Sequence, residues 1–369
     1  MSAERPTTPA PSELIEGGGR LPLPWLVAPL TQALAVARGH HALLLRAAPG
    51  IGARALALSL AQSRLCEAPG PNGLACGGCA SCRLVHAHAH PDLFVLLPEI
   101  ERRQTAWLIG EDKPEAEEGG KRKPSRQIRI DDVRVLLDWV TKTAARGRGK
   151  VVLLHPAEAL NAHAASALLK TLEEPPAAVQ LVLTCSDAMH LLPTVRSRCQ
   201  QVVVPPPGVA EAAAWLAAQG VVRPEVLLAA CDGRPLEVLA CQERGVDAER
   251  WAALPAELAA GRPGALAGAD VPLALQWLLK VCHDAMAAAV GAPGRYFAEG
   301  AMPDGLALAA LNRWHRELQR LALAAEHPWH EALALDALVS GARLALSAPG
   351  RRPGDMAPNP SRTPSRAGA

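Results

Sequence analysis

The stretch AAPGIGARAL, Ala47 to Leu56, decides how this chain is read. An apolar run, HALLL (His41 to Leu45), precedes it, and an Ala/Leu-rich segment, ALALSLAQSRL, closes and follows it. Strand, glycine turn and helix in that order form the setting in which backbone N–H groups cradle phosphates. Set against the phosphate-loop pattern G-x4-G-K-[ST], residues 47–54 read Ala-Ala-Pro-Gly-Ile-Gly-Ala-Arg. Gly50 and Gly52 keep the turn, but Ala47 stands in place of the first glycine. Ala53 has no amine to reach the β- and γ-phosphates, and Arg54 has no hydroxyl for Mg²⁺.

The second half of such a site is an acidic pair at the end of a buried strand. Here KVVLL (Lys150 to Leu154) runs into His155-Pro156-Ala157-Glu158, and neither expected position is acidic. Glu158 reads as a helix-start charge, favoured there by the macrodipole. Both halves fail independently, so ATP is not expected to bind productively and the chain is not expected to hydrolyse it.

Working outward, apolar strand-like runs alternate with helical patterns from LPLPWL (Leu21 to Leu26) to about Val204. HALLL, DLFVLL (Asp92 to Leu97), KVVLL and QLVLT (Gln180 to Thr184) are the clearest runs. They predict an α/β domain over 21–204 with a mostly parallel sheet. IDDVRVLLDWV (Ile130 to Val140) places Ile130, Val133, Leu137 and Val140 on one face of an amphipathic helix. Residues 99–126, with an acidic block, Gly119-Gly120 and the basic Lys121 to Lys123, read as a solvated surface insertion. VVPPPG (Val203 to Gly208) marks a boundary, because consecutive prolines continue neither helix nor strand. Beyond it the patterns are helical, around Leu273–Ala288, Leu306–Ala325 and Glu331–Ser347. Residues 1–20 and 349–369, rich in Pro with Gly, Ser or Arg, read as a disordered leader and tail.

LCEAPGPNGLACGGCASC carries the strongest local signal: Cys66, then Cys76, Cys79 and Cys82 in two overlapping CxxC turns. Four soft thiolates at this spacing can close around one tetrahedral Zn²⁺, and a full shell leaves no open position for a reactive water. The expected role is structural, within a module at 66–82. An iron–sulfur cluster would call for a C-x2-C-x2-C-x3-C-P run, which is absent. Free buried thiols are the plain alternative, and three cysteines within seven residues oppose it. Cys185, Cys199, Cys231, Cys241 and Cys282 are scattered and read as small core residues.

Bulk composition narrows the class. The 369 residues are 49% hydrophobic, 20% charged and only 3% aromatic, which suits a soluble chain of two or three domains. The N-terminal stretch has no apolar segment of the kind that directs secretion, so a cytoplasmic location with reduced thiols is expected. A formal charge of +2 gives no case for strong nucleic-acid binding by the chain alone.

NAHAASALLKTLEEPP (Asn161 to Pro176) and TVRSRCQ (Thr194 to Gln200) are the most specific segments. With LPLPWL and HPDL (His90 to Leu93), they resemble the clamp-loader branch of the AAA+ ATPases. The lost lysine, the lost acidic pair and the cysteine module resemble its non-hydrolysing members rather than the gamma/tau ATPases. The resemblance implies an AAA+ (P-loop NTPase-like) α/β domain with an inserted zinc module. A small helical lid (205–245) and an all-α C-terminal collar domain (246–348) would follow. It implies a ring with gamma/tau ATPase subunits and a delta subunit, acting on a sliding clamp and primer–template DNA. It also implies that Arg198, in Ser197-Arg198-Cys199, serves a neighbour's ATP site in trans, where a guanidinium neutralises charge developing on the γ-phosphate. Three other readings compete: an active gamma/tau-type ATPase, a stand-alone zinc-containing DNA-binding protein, and an AAA+ scaffold of another complex. The missing lysine opposes the first, and near-neutral charge opposes the second.

Overall fold

The computed structural model describes residues 12–105, 107, 124–324 and 329–347. The chain divides between Ala212 and Ala213 into two compact units. The first is built on a five-stranded sheet in the order β2-β3-β4-β1-β5. Its strands are β1 (Ala42–Ala47), β2 (Leu93–Leu96), β3 (Lys150–Leu154), β4 (Val179–Cys185) and β5 (Gln200–Val204), and every pairing is parallel. Every residue of β2, β3 and β4 is buried, which is why these strands are unbroken apolar runs rather than alternating ones. The four expected runs all form strands.

The fifth strand was not among them. In β5 only Val202 and Val204 are buried, and three residues face solvent. An edge strand with one wet face gives a short alternating signal, and the prolines that follow obscure it further.

Among the described residues, seven α-helices belong with this sheet: α1 (Val27–Ala37), α2 (Ala53–Leu65), α3 (Ala80–His86), α4 (Glu99–Thr105), α5 (Ile130–Val140), α6 (Ala162–Glu173) and α7 (Pro193–Arg196). α2 packs on β3 and β4, while α5 and α6 pack on each other. α5 buries Val133, Leu136 and Val140. α6 starts at Asn161, whose side chain accepts from the Ala164 N–H at 2.8 Å. Its Leu168 and Leu172 join Leu136, Val152 and Leu181 in the core.

Two expectations are corrected. Residues 12–20 are packed rather than loose: Ile15 is 0% exposed, its N–H donates to Gln62 Oε1 at 2.7 Å and its carbonyl accepts from Gln62 Nε2 at 2.9 Å. A buried glutamine satisfied on both sides holds this segment as a strand partner would. The start of the 99–126 insertion is the helix α4, not a solvated loop. Residues 1–11, most of that insertion (106 and 108–123, with Lys121 to Lys123) and the 348–369 tail lie outside the described residues.

The second unit is helical. It follows from within α8 (Val209–Ala218), through α9 (Pro224–Ala230), α10 (Pro235–Glu243), α11 (Ala248–Ala259), α12 (Val271–Ala289) and α13 (Leu308–Leu323), to α14 (Glu331–Ser347). Asp247 and Asp270 cap α11 and α12. Buried Asp284 accepts three backbone N–H groups, from Arg295, Tyr296 and Phe297, and so shapes the loop after α12.

Gly52 joins β1 to α2 at φ +98°, and a Cβ there would lie 2.4 Å from Leu23 Cδ1. Gly52→Ala is therefore expected to lower unfolding stability by about 1–3 kcal/mol, through a left-handed backbone and displaced Leu23. Denaturant titration of the two proteins checks this, and equal midpoints would refute it.

Candidate functional site

The loop that decided the sequence reading opens where β1 ends. Gly50 and Gly52 both adopt positive φ, at 75° and 98°, so both glycines shape the turn between β1 and α2. Its interior is taken up by protein. Ile51 is fully buried, and its carbonyl accepts the Trp25 Nε1–H at 2.8 Å. Arg54, in the first turn of α2, does not face solvent freely. Its Nε donates to both Glu13 oxygens at 2.8 and 3.0 Å, and its Nη1 donates to Glu101 Oε2 at 3.1 Å. One guanidinium thus meets two carboxylates, a charge set that disfavours a further anion.

His155 stands where the acidic pair would begin, after β3, and its peptide bond to Pro156 is cis. Its Nδ1 lies 2.6 Å from Thr184 Oγ1 on β4. Burial, reinforced by the Arg54 charge, holds its pKa down to about 3. The imidazole is therefore neutral near pH 7, and its 3.7 Å approach to Glu101 is not an ion pair. Burial also raises Glu101, against the pull of Arg54. Glu158 stands in the first turn of a short 3-10 helix, Ala157–Ala159, as a helix-start charge, and its Oε1 also accepts from Ser186 N and Oγ (2.5 and 2.8 Å) and from Asp187 N (2.9 Å), fixing the turn after β4.

At the other end of α2 the four cysteines meet. Cys66 caps α2 and Cys79 caps α3, and the four Sγ atoms lie within 4.8 Å of one another. Cys66 Sγ is 3.6 Å from Cys76 Sγ and 3.8 Å from Cys79 Sγ. Metal–sulfur bonds of about 2.3 Å in a tetrahedron place sulfurs about 3.8 Å apart, so the cluster fits a metal ion. Cys76 N, Gly78 N, Cys79 N and Cys82 N all point at cluster sulfurs, at 3.3–3.4 Å. Burial works against ionisation of Cys79, but the N–H groups of Cys82 and Glu67 and the neighbouring thiols outweigh it and bring its pKa to about 6. Burial pushes Cys66 and Cys82 up. Gly77 is obligatory: at φ +73° a Cβ would sit 2.1 Å from the Glu16 carbonyl oxygen. The packed N-terminal segment thus runs directly over the knuckle.

HPDL acquires a role that the sequence alone did not assign. Asp92 N donates to His90 Nδ1 at 3.1 Å, so the remaining proton is on Nε2, which reaches Ser81 Oγ of α3 at 2.9 Å. Buried Asp92 accepts the N–H groups of Ala145 and Arg146 at 2.7 and 2.8 Å. Arg146 pairs in turn with Glu67, beside Cys66. In the basic turn 145–150, then, Arg146 is engaged internally, and buried Lys150 donates to the Trp139 carbonyl at 2.5 Å.

Arg198 lies at a different place. It follows α7 and precedes β5, with Nη1 donating to the Thr194 carbonyl at 2.8 Å and Nη2 paired with Glu173 at the end of α6. Its side chain is 33% exposed. Ser197 Oγ donates to the Thr194 carbonyl at 3.2 Å. Cys199 is buried, and burial pushes its thiol up to about 12. Because β5 runs parallel to β1, from Leu43↔Gln200 to Ala47↔Val204, Arg198 sits at the edge where β1 begins, and the loop sits where β1 ends. Arg198 and the loop are therefore not brought together.

A family model described as DNA polymerase III, delta subunit matches residues 24–208. The DNA polymerase III subunit delta' of Yersinia pestis is 36% identical over 71% of this chain and 71% of its own length. The chain belongs to the DNA polymerase III delta' family. The delta' subunit of Pseudomonas aeruginosa is 43% identical, the alignment covering 62% of this chain and 63% of that relative. DNA polymerase III subunit tau of Salmonella typhimurium is 36% identical over 47% of this chain and 23% of its own length. Among solved structures, a gamma subunit-related protein of Thermotoga maritima aligns at 17% identity and TM-score 0.47, covering 86% of this chain and 99% of that one. Among the described residues, no helix is long and apolar enough to cross a membrane.

Glu13, Glu101 and Glu173 are the site residues that sequence reasoning missed. Glu13 and Glu101 fall outside any motif, and Glu173 lies within the 161–176 segment as part of its helix end; only the fold shows which cation each meets.

Two outcomes follow from this geometry. Stripping metal from the cysteine cluster with a chelator is expected to lower the thermal midpoint of the full chain, because four unligated thiols no longer join α2 to α3. An unchanged midpoint would remove the metal-holding role. His155 has a folded pKa below its unfolded value, so the unfolded chain binds more protons between about pH 3 and 6.5. Stability is then fully present above pH 6.5 and falls as pH drops through this window, with a slope of up to about 1.4 kcal/mol per pH unit from this group. His155→Gln should flatten that part of the stability–pH curve; an identical curve would refute it.

Proposed function

We propose that the chain is a non-hydrolysing stator subunit of a clamp-loader ring of the DNA polymerase III holoenzyme. In this reading gamma/tau ATPase subunits and a delta subunit are its neighbours, and through them it helps place a sliding clamp on primer–template DNA in the cytoplasm. The first unit is the AAA+ domain, and the helical unit supplies lid and collar. Zn²⁺ is the metal assigned to Cys66, Cys76, Cys79 and Cys82, since four thiolates favour a soft tetrahedral ion and leave no reactive position.

The observation that carries the reading is the separation of Arg198 from the chain's own loop. The five paired positions of β1 and β5 alone span about 13 Å, at about 3.3 Å per residue. An arginine at that edge cannot serve the loop of its own sheet, but it can serve a nucleotide held against it by a neighbour. There its fixed charge opposes the negative charge that builds on the γ-phosphoryl oxygens, and its placement before reaction avoids reorganisation. The loop itself favours no nucleotide, because Arg54 is already neutralised by Glu13 and Glu101.

Arg198→Ala is expected to leave the chain folded and to slow single-turnover hydrolysis at the adjacent site of the assembled ring by about 10²-fold or more. Mg-ATP titrated calorimetrically into the isolated chain should release no binding heat. Undiminished hydrolysis would remove the trans role, and clear ATP binding would remove the stator assignment.

A further inference from the structure

We infer that Glu173 is the positioning residue for Arg198, holding its guanidinium in the orientation that the neighbouring site uses; this rests on the trans role proposed above. Glu173 is the last residue of α6, and Arg198 lies between α7 and β5, 25 positions further along the chain. Their side chains meet through Glu173 Oε1 and Arg198 Nη2. Arg198 Nη1 is fixed separately, by the Thr194 carbonyl at 2.8 Å and by Ser197 Oγ at 3.4 Å. The Arg198 backbone N–H is also anchored, on the Val195 carbonyl at 3.2 Å. Thus one nitrogen is held from within the arginine's own turn and the other from a different helix. A planar guanidinium held at both terminal nitrogens is restrained from rotating about its long axis, and among the described residues its Nε–H and a second Nη2–H meet no partner.

General stability is a poor reason for this pair. A carboxylate in the last turn of a helix faces the negative end of the macrodipole, where a cation is the favoured charge. Glu174 adds a second carboxylate at the same end. The pair is also accessible, with Glu173 48% and Arg198 33% exposed, which makes its contribution to folding small. What it does set is direction. A long side chain next to solvent samples many rotamers, and ordering it in advance removes that cost from the transition state. The helical motif at 161–176 and the Ser197-Arg198-Cys199 motif therefore work as two halves of one device: Leu168 and Leu172 seat α6 in the core, and the carboxylate beyond them reaches Arg198.

The test uses rings assembled from the full chain and its ATPase partners, with steady-state ATP hydrolysis read as kcat and KM. Glu173→Ala is expected to lower kcat on the order of tenfold with KM for ATP unchanged, since positioning is lost and ground-state binding is not. Glu173→Gln, which keeps an oxygen acceptor at the same reach, should retain most of the rate, and its recovery separates positioning from a folding defect. The double variant Glu173→Ala/Arg198→Ala should be no slower than Arg198→Ala alone. Wild-type kcat in Glu173→Ala, or a double variant slower than Arg198→Ala by the full Glu173→Ala factor, would overturn the positioning role while the trans arginine stands. A ring in which Arg198→Ala itself hydrolyses normally overturns both.

Discussion

A sheet whose strands all run the same way has two unlike edges, and this constraint governs the first unit. The loop after β1, His155 after β3 and Thr184, the last residue but one of β4, all lie at one edge. Such carboxyl ends are where open α/β sheets hold their ligands. Arg198 lies at the other edge because it precedes its strand instead of following one. The return helices inherit the same polarity. α2 begins at the loop and ends at Cys66, so its 13 residues place the cysteine cluster about 20 Å from the loop. Loop, arginine and cysteine knuckle are thus kept apart by topology before any side-chain detail enters.

At the loop the determining fact is an arginine that needs anions. A phosphate loop normally presents cationic and N–H groups to a ligand; here Arg54 presents its guanidinium to Glu13 and Glu101. With only about a quarter of its side chain exposed, an unpaired Arg54 would be costly, and each carboxylate offsets part of that cost. His155 completes the set by staying neutral, since a second positive charge in that space would be opposed by burial and by Arg54 together. The consequence reaches beyond the loop. Glu13 must remain close, so residues 12–16 are drawn onto the domain, and the Ile15–Gln62 bonds satisfy the backbone that this burial strips of water. The ordered start of the described chain and the altered chemistry of the loop are one event.

Legibility followed the range of the interactions involved. β1 to β4 were readable because strands buried on both faces are continuous apolar runs, and the cysteine knuckle was readable because its ligands are close in sequence. β5 was not, as half of it is wet and the run is short. The ion pairs Arg54–Glu13, Arg54–Glu101 and Arg198–Glu173 join residues 25 to 47 positions apart, and no local pattern marks an acidic residue for a distant cation. The packed segment at 12–20 was misread for a related reason. Its composition is that of a loose leader, and its order comes from partners on α2 and at Gly77 that composition does not encode.

The cysteine module is tied to the sheet by more than its cysteines. From α3, Ser81 meets His90; His90 accepts from the Asp92 backbone; Asp92 accepts from Ala145 and Arg146; and Arg146 returns to Glu67 beside Cys66. This is a closed polar circuit around the point where β2 and β3 begin. Asp92 is its joint, because its buried carboxylate places one oxygen on each of two successive N–H groups, and removing it would leave two donors unpaired. The His-Pro-Asp-Leu sequence that follows the knuckle is therefore explained by geometry. It carries the position of the knuckle to the turn that enters β3.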